Sequence, residues 1–171
     1  NKFDEYETRM DWVYENLDLF IVHSDGTSQR EKRGGINVLR RLPDGSYYED
    51  YFIRDLLRYL KDYDMDGFYA GDGWCGLWTP LWMGDYHPDM IDQFERHSGI
   101  KVQGNTVAEQ ASFIWEDEEH RAAWIQFYSD RWTAFYQKLN VALKGQGQGL
   151  VTIDPWATGP AEALYTYGIH Y

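Results

Sequence analysis

The sequence predicts a parallel α/β fold. Short apolar runs of strand length stand at Leu17–His23, Phe68–Ala70 and Leu150–Asp154. Stretches with helical spacing precede or separate them, and Gly, Pro and Asp punctuate the joins. Helix, strand, loop, helix, strand is the order that a parallel sheet with crossover helices requires.

Within residues 3–17, Met10, Val13, Tyr14 and Leu17 recur at steps of three and four, which predicts a helix. Leu17–His23 follows as a buried strand, rich in Ile, Val and Phe. Ser24–Thr27 is a turn, residues 25–35 a polar loop, and Ile36–Leu39 a second short strand. Pro43-Asp44-Gly45-Ser46 is a turn, because Pro presets φ and Gly accepts positive φ. Glu49–Tyr63 is the clearest helix, with Phe52, Leu56, Leu57 and Leu60 on one stripe, Ile53 beside it and Asp50 as its N-cap. Phe68–Ala70 is the next strand, and residues 71–88 form a long loop without period. Asp89–His97 is a short helix entered through Pro88, Lys101–Phe113 is ambiguous, and residues 116–142 form a long helix. The glycines from Gly145 to Gly149 stop it before the strand Leu150–Asp154, and Ala161–Tyr167 starts a further helix.

The 171 residues, 43% hydrophobic, suffice for one domain with a sizeable core. They fall short of the roughly 250 residues of a full (β/α)8 barrel. The chain opens on Asn1 and ends at Tyr171, after what reads as the opening of another helix–strand unit. Residues 1–171 are thus expected to be a single α/β domain cut at both ends, with a small complete domain as the alternative. The net charge of -12 repels phosphate backbones and anionic lipid surfaces, so neither nucleic acid nor membrane is an expected partner. The basic residues Arg30–Arg33, Arg40 and Arg41 read as a solvated loop face. A single cysteine, Cys75, excludes an internal disulfide, and no apolar run reaches the roughly 18 residues of a membrane span. No signal peptide is visible, and the compartment stays open, secretion and the periplasm included. No histidine pair has metal-ligand spacing, so no metal or other cofactor is expected.

In parallel α/β folds the chemistry sits past the carboxyl ends of the strands. Two strand ends here carry an acid followed within two positions by a tryptophan: Asp72 with Trp74, and Asp154 with Trp156. A single long helix separates the two strands, which predicts neighbours about 4.8 Å apart. The two carboxylates would then lie roughly 5–9 Å apart, the range used in glycoside hydrolysis. The same acids also read as loop caps. Aromatic residues make up 18% of the chain, a surplus suited to stacking on sugar rings, or to a large core rimmed by tyrosine hydroxyls. Trp74, Trp78, Trp82 and Trp156 follow strand ends and are the candidate platforms, with Tyr69 facing inward and His23 at the end of the first strand. His87, in the long loop, is a weaker candidate. Trp12, Trp115, Trp124 and Trp132 read as packing residues.

Three stretches carry a family resemblance. PDGSYYEDYFIRDLLRYLKDYDMDGFYAGDG resembles the helix-to-strand step of (β/α)8-barrel glycoside hydrolases of bacterial type. DMIDQFERHSGI is similar to the substrate-side helix after such strands, and WIQFYSDRWTAFYQKLNVAL with VTIDPW to one barrel helix and its next strand. The likeness covers roughly residues 47–156 and matches no numbered family. It implies a partial (β/α) barrel of glycosidase type, with Asp72 as the strand-end acid and Asp154 as the second. The Asn-Glu pair of many retaining members is missing from GDGW. The expected function is hydrolysis of O-glycosidic bonds in an oligo- or polysaccharide. The alternative is a non-catalytic carbohydrate-binding α/β domain. Expected partners are a carbohydrate substrate and the remainder of the barrel or parent chain.

Overall fold

Helices form in this chain where apolar residues recur every three to four positions and a capping group closes the first turn. The computed structural model describes residues 6, 9–32, 35–70, 77, 79–147, 150–153 and 159–169. Helix α1 (Met10–Asn16) buries Val13 and stops where Leu17 turns extended. Helix α2 (Tyr48–Asp62) turns Tyr48, Ile53 and Leu60 fully inward, with Phe52, Leu56 and Leu57 packed at the margin. Its N-cap is Tyr47, whose side chain makes no capping bond; the expected cap, Asp50, lies inside the first turn and pairs with Lys138 instead.

Helix α3 (Pro88–Ser98) starts on proline, where no backbone N–H is needed, and ends at Gly99, whose φ of 77° lets its N–H reach the Glu95 carbonyl at 2.9 Å. The ambiguous stretch after it resolves into helix α4 (Val107–Glu116). A capping box starts this helix: Thr106 Oγ1 accepts from the Glu109 N–H at 3.2 Å while the Glu109 carboxylate accepts from the Thr106 N–H at 3.2 Å. Helix α5 (Glu118–Gly145) is capped by Asp117, runs about 42 Å at 1.5 Å per residue, and buries Trp124, Phe127, Trp132, Phe135, Leu139 and Leu143 along one side. It packs against α2, α3, α4 and the last helix, α6 (Pro160–Tyr167). Among the described residues, no helix is long and apolar enough to cross a membrane.

Strands β1 (Gly67–Ala70) and β2 (Leu150–Ile153) pair in parallel, Gly67 opposite Leu150 and Ala70 opposite Ile153. They are the neighbouring strands that the sequence order implies. The barrel built on them is corrected. A closed barrel needs eight paired strands, whereas the described residues hold one two-stranded sheet in a mainly helical chain.

The runs Leu17–His23 and Ile36–Leu39 are not strands. They make only the isolated antiparallel bridges Phe20–Ile36 and Val22–Ser28. Their backbone groups are taken one at a time by loop partners: Ile21 N by Gly35 O at 3.2 Å, Val22 N by the Asp85 carboxylate at 2.9 Å, and Val22 O by Tyr86 N at 2.9 Å. Leu19, Phe20, Ile21, Val38 and Leu39 are nonetheless buried, so the apolar composition marks burial and not a ladder. The solvated reading of Arg40 and Arg41 is also corrected: Arg40 is 2% exposed, and Arg41 is held by Asp89 and Asp92.

Candidate functional site

A cluster of buried polar groups surrounds Asp85, which is 0% exposed. Four donors converge on its carboxylate. Oδ1 accepts from Val22 N at 2.9 Å and His87 N at 3.0 Å, and Oδ2 from Asn37 Nδ2 at 3.1 Å and Arg40 NH1 at 3.3 Å. Tyr128, on α5, brackets its backbone, donating to Asp85 O and accepting from Asp85 N, each at 3.2 Å. Arg40 also donates to Phe20 O and Asp18 O. Burying a guanidinium is tolerable only when its charge and N–H groups are met this way.

A second layer continues the network. Asp89, in the first turn of α3, accepts from Arg41 Nε at 2.6 Å through Oδ1, and from Arg41 N and Gln93 Nε2, each at 2.8 Å, through Oδ2. Arg41 also pairs with Asp92. Burial works to lower the pKa of Arg41, but the hydrogen bonds to Asp92 and Asp89 outweigh it and raise the pKa. Gln93 and Arg131 both donate to Leu39 O, and Arg131 reaches Glu49 at 2.9 Å. The segment 37–41 is therefore clamped between α2, α3 and α5.

Beside this network opens a cleft of about 360 Å³ walled by Asn16–Leu19, Arg40–Pro43, His87 and Asp89. Leu17, Leu19, Leu42 and Pro43 supply its apolar surface. His87 is the N-cap of α3, and its Nδ1 accepts from the Asp89 N–H at 3.0 Å. An imidazole nitrogen that accepts carries no proton, so the neutral ring bears its proton on Nε2. Burial first, then the Arg40 charge, lower the pKa of His87 from its ordinary 6.5, against the opposite pull of Asp85, Asp18 and Asp89. Nε2–H makes no hydrogen bond among the described residues. The Nε–H of Arg40 likewise has no hydrogen-bond acceptor there; the nearest carboxylate oxygen, Asp89 Oδ2, stands 3.8 Å away.

The sequence-predicted site lies largely elsewhere. Asp72, Trp74, Trp78, Asp154 and Trp156 lie outside the described residues. Tyr69 sits in β1 opposite Thr152. His23 ends no strand: its Nδ1 faces Met83 O at 3.2 Å and its Nε2 faces Gln29 Nε2 at 3.0 Å, tying it to the turn that carries Trp82. Both ring nitrogens are thus engaged within the protein. Trp82 is 43% exposed, its ring 6.1 Å from that of Trp115. Trp124 and Trp132 are core residues, as their helical positions imply. Among the described residues, no group of three or more His, Cys, Asp or Glu side chains is arranged to hold a metal ion.

The expectation of a glycosidase is corrected with the fold that carried it. The described residues form a mainly helical structure with one two-stranded sheet and no barrel to frame strand-end carboxylates. The carbohydrate-binding barrel, the carbohydrate partner and the barrel remainder as partner rested on the same premise and fall with it. Sequence reasoning passed over Asp85, Arg40, Arg41 and Asp89. One signal for them was in plain view: Asp85 two residues ahead of His87-Pro88, a cap-and-proline helix start. Comparison with protein-family models, with characterised proteins and with solved structures gives no match to this chain.

Proposed function

We propose that the chain is a ligand-binding domain that holds a small molecule in the cleft between Asn16–Leu19, Arg40–Pro43 and the start of α3. One observation carries the reading: in the cleft wall, His87 presents a donor of defined tautomer, Nε2–H, that has no acceptor among the described residues. The cleft volume of about 360 Å³ falls within the roughly 300–1,000 Å³ range of small-molecule sites. The mixture of leucine and proline surface with a few oriented polar groups is also typical of such sites. The reading is one of binding, since two polar groups of the wall are already committed within the protein. Both Asp89 oxygens are occupied by Arg41 and Gln93, and His87 Nδ1 is committed to a backbone N–H.

The test is amide chemical-shift mapping of the labelled protein against a fragment panel. Binders should shift the resonances of Leu17, Leu42, His87 and Asp89, and Leu42→Trp, which fills the cleft, should abolish those shifts. Binders that map elsewhere, or shifts that survive in Leu42→Trp, would refute the assignment.

A further inference from the structure

Among the described residues six large apolar side chains are well exposed, and three of them, Trp82, Met83 and Tyr165, gather at one place. Trp82 and Met83 follow Leu81, whose N–H donates to Thr166 O at 2.8 Å, one residue from Tyr165 at the end of α6. Beside Trp82 stands the partly buried Trp115, at the end of α4, its ring 6.1 Å away and tilted by 54°. None of these four residues lines the cleft. Aromatic and methionine side chains gathered on a surface, rimmed by polar residues, mark a protein contact area.

Charge selects the partner. Directly after Trp115 come Glu116, Asp117, Glu118 and Glu119, all exposed. Asp117 caps α5, whereas Glu116, Glu118 and Glu119 have no ion-pair partner among the described residues. The cations of this joint are turned inward: Arg121 donates to Trp115 O at 2.9 Å, and the His120 ring stacks on Phe113 at 4.4 Å. At the 3.8 Å spacing of successive Cα atoms, no more than about 15 Å of chain separates Glu119 from Trp115. We infer that this surface docks an extended, arginine-bearing segment of a partner protein, one guanidinium stacking on the Trp82 ring and another meeting Glu118 and Glu119. A guanidinium suits the indole face because it is flat, charged and weakly hydrated. Arginines a few positions apart on an extended chain span the distance to the carboxylates. A second copy of this chain, with the same net charge of -12, and an anionic lipid surface are both repelled. A neutral apolar partner would desolvate the carboxylates without pairing them.

Three capped peptides of one length test this by chemical-shift mapping at low salt: Gly-Arg-Gly-Arg-Gly-Arg-Gly and its lysine and glutamate counterparts. The arginine peptide should move the Trp82 indole N–H and the amides of Met83, Trp115 and Glu118. It should bind at least about threefold more tightly than the lysine peptide, since only the guanidinium plane stacks. The glutamate peptide should not bind, and added salt should weaken the arginine peptide. Trp82→Leu keeps apolar cover over Trp115 but removes the π face; affinity should fall about three- to tenfold with Tm near that of the wild type. Glu118→Gln combined with Glu119→Gln, both exposed, should lower affinity about two- to fivefold while leaving the Asp117 cap in place. Absent shifts, or shifts spread over other acidic surfaces, would overturn the docking site. Equal binding of the arginine and lysine peptides, or unaltered affinity in Trp82→Leu, would overturn the stacking. Unaltered affinity in the double glutamine variant, or binding of the glutamate peptide, would overturn the charge pairing.

Discussion

Replacing Asp85 with alanine should destabilise the protein by about 3–5 kcal/mol. The magnitude follows from what the carboxylate holds. Its partner Arg40 is 2% exposed, and Asp85 itself 0%. Removing one member of a buried ion pair leaves the other charged and uncompensated, which typically costs about 3–5 kcal/mol. The Val22 and His87 N–H groups lose their acceptor as well, at 2.9 and 3.0 Å. That loss is part of the same figure and not an addition to it, because the vacated volume gives both groups and Arg40 room to rearrange. The assay is equilibrium urea unfolding followed by tryptophan fluorescence and far-ultraviolet circular dichroism. Arg40→Met supplies the cycle. Combined with Asp85→Ala it removes the stranded charge, so the double variant should be markedly more stable than the sum of the single losses. Asp92→Ala is the control. Asp92 is 41% exposed at the side chain, and the loss there should stay within about 1 kcal/mol. A cost below about 1 kcal/mol for Asp85→Ala, or strict additivity in the cycle, would refute the claim that this ion pair organises the network.

Acid should weaken the fold in two separate windows. Folding holds His87 neutral, with its pKa below the ordinary 6.5. The unfolded chain therefore binds a proton that the folded chain refuses, and stability is full above about pH 6.5 and is lost as pH falls through the folded pKa. Tm should drop more between pH 7.5 and 5.5 in the wild type than in His87→Asn; equal drops would contradict the role given to the cap. Asp92 and Glu95 are lowered by hydrogen bonds from Arg41 and Lys101, so their losses belong to a lower window, beginning below 3.8 and 4.5 respectively. Separately, Gly168→Ala should cost about 1–3 kcal/mol, because the position has φ of 68° and an added Cβ would stand 2.7 Å from Tyr128 Cβ. A thermal melt of that variant superimposing on the wild type would show that the α6 terminus is not packed on α5 as described.

Much of the local structure is legible residue by residue. The spacing of Ile53 and Leu60, the proline before Asp89 and the apolar row from Trp124 to Leu139 each predict a helix because the 3.6-residue period is written within one segment. The turn at Pro43–Ser46 is readable for the same reason: Asp44, Gly45 and Ser46 settle it among themselves, with Ser46 N donating to Asp44 Oδ1 at 2.9 Å. The capping box at Thr106 and Glu109 was equally local and was passed over. The site was far less legible. Arg40 and Arg41 read as solvated because nothing within a few residues of them signals a partner; Asp85 and Asp89 lie more than forty positions away.

By itself, the sequence determined the helices, the turns, the net acidity and the order that sets β1 and β2 side by side, since each depends on near neighbours or on simple connectivity. Tertiary structure decided three things. It turned the apolar runs at Leu19–Ile21 and Val38–Leu39 into packed loops instead of strands, because their N–H and C=O groups find acceptors and donors one by one in distant segments. It buried Arg40 against Asp85. It also drew His87 to a cleft wall, where its Nε2–H meets no acceptor among the described residues. Hydrophobicity says only that a segment will be covered; which polar groups meet underneath is settled by three-dimensional closure, where the cost of an unpaired buried charge exceeds any local preference.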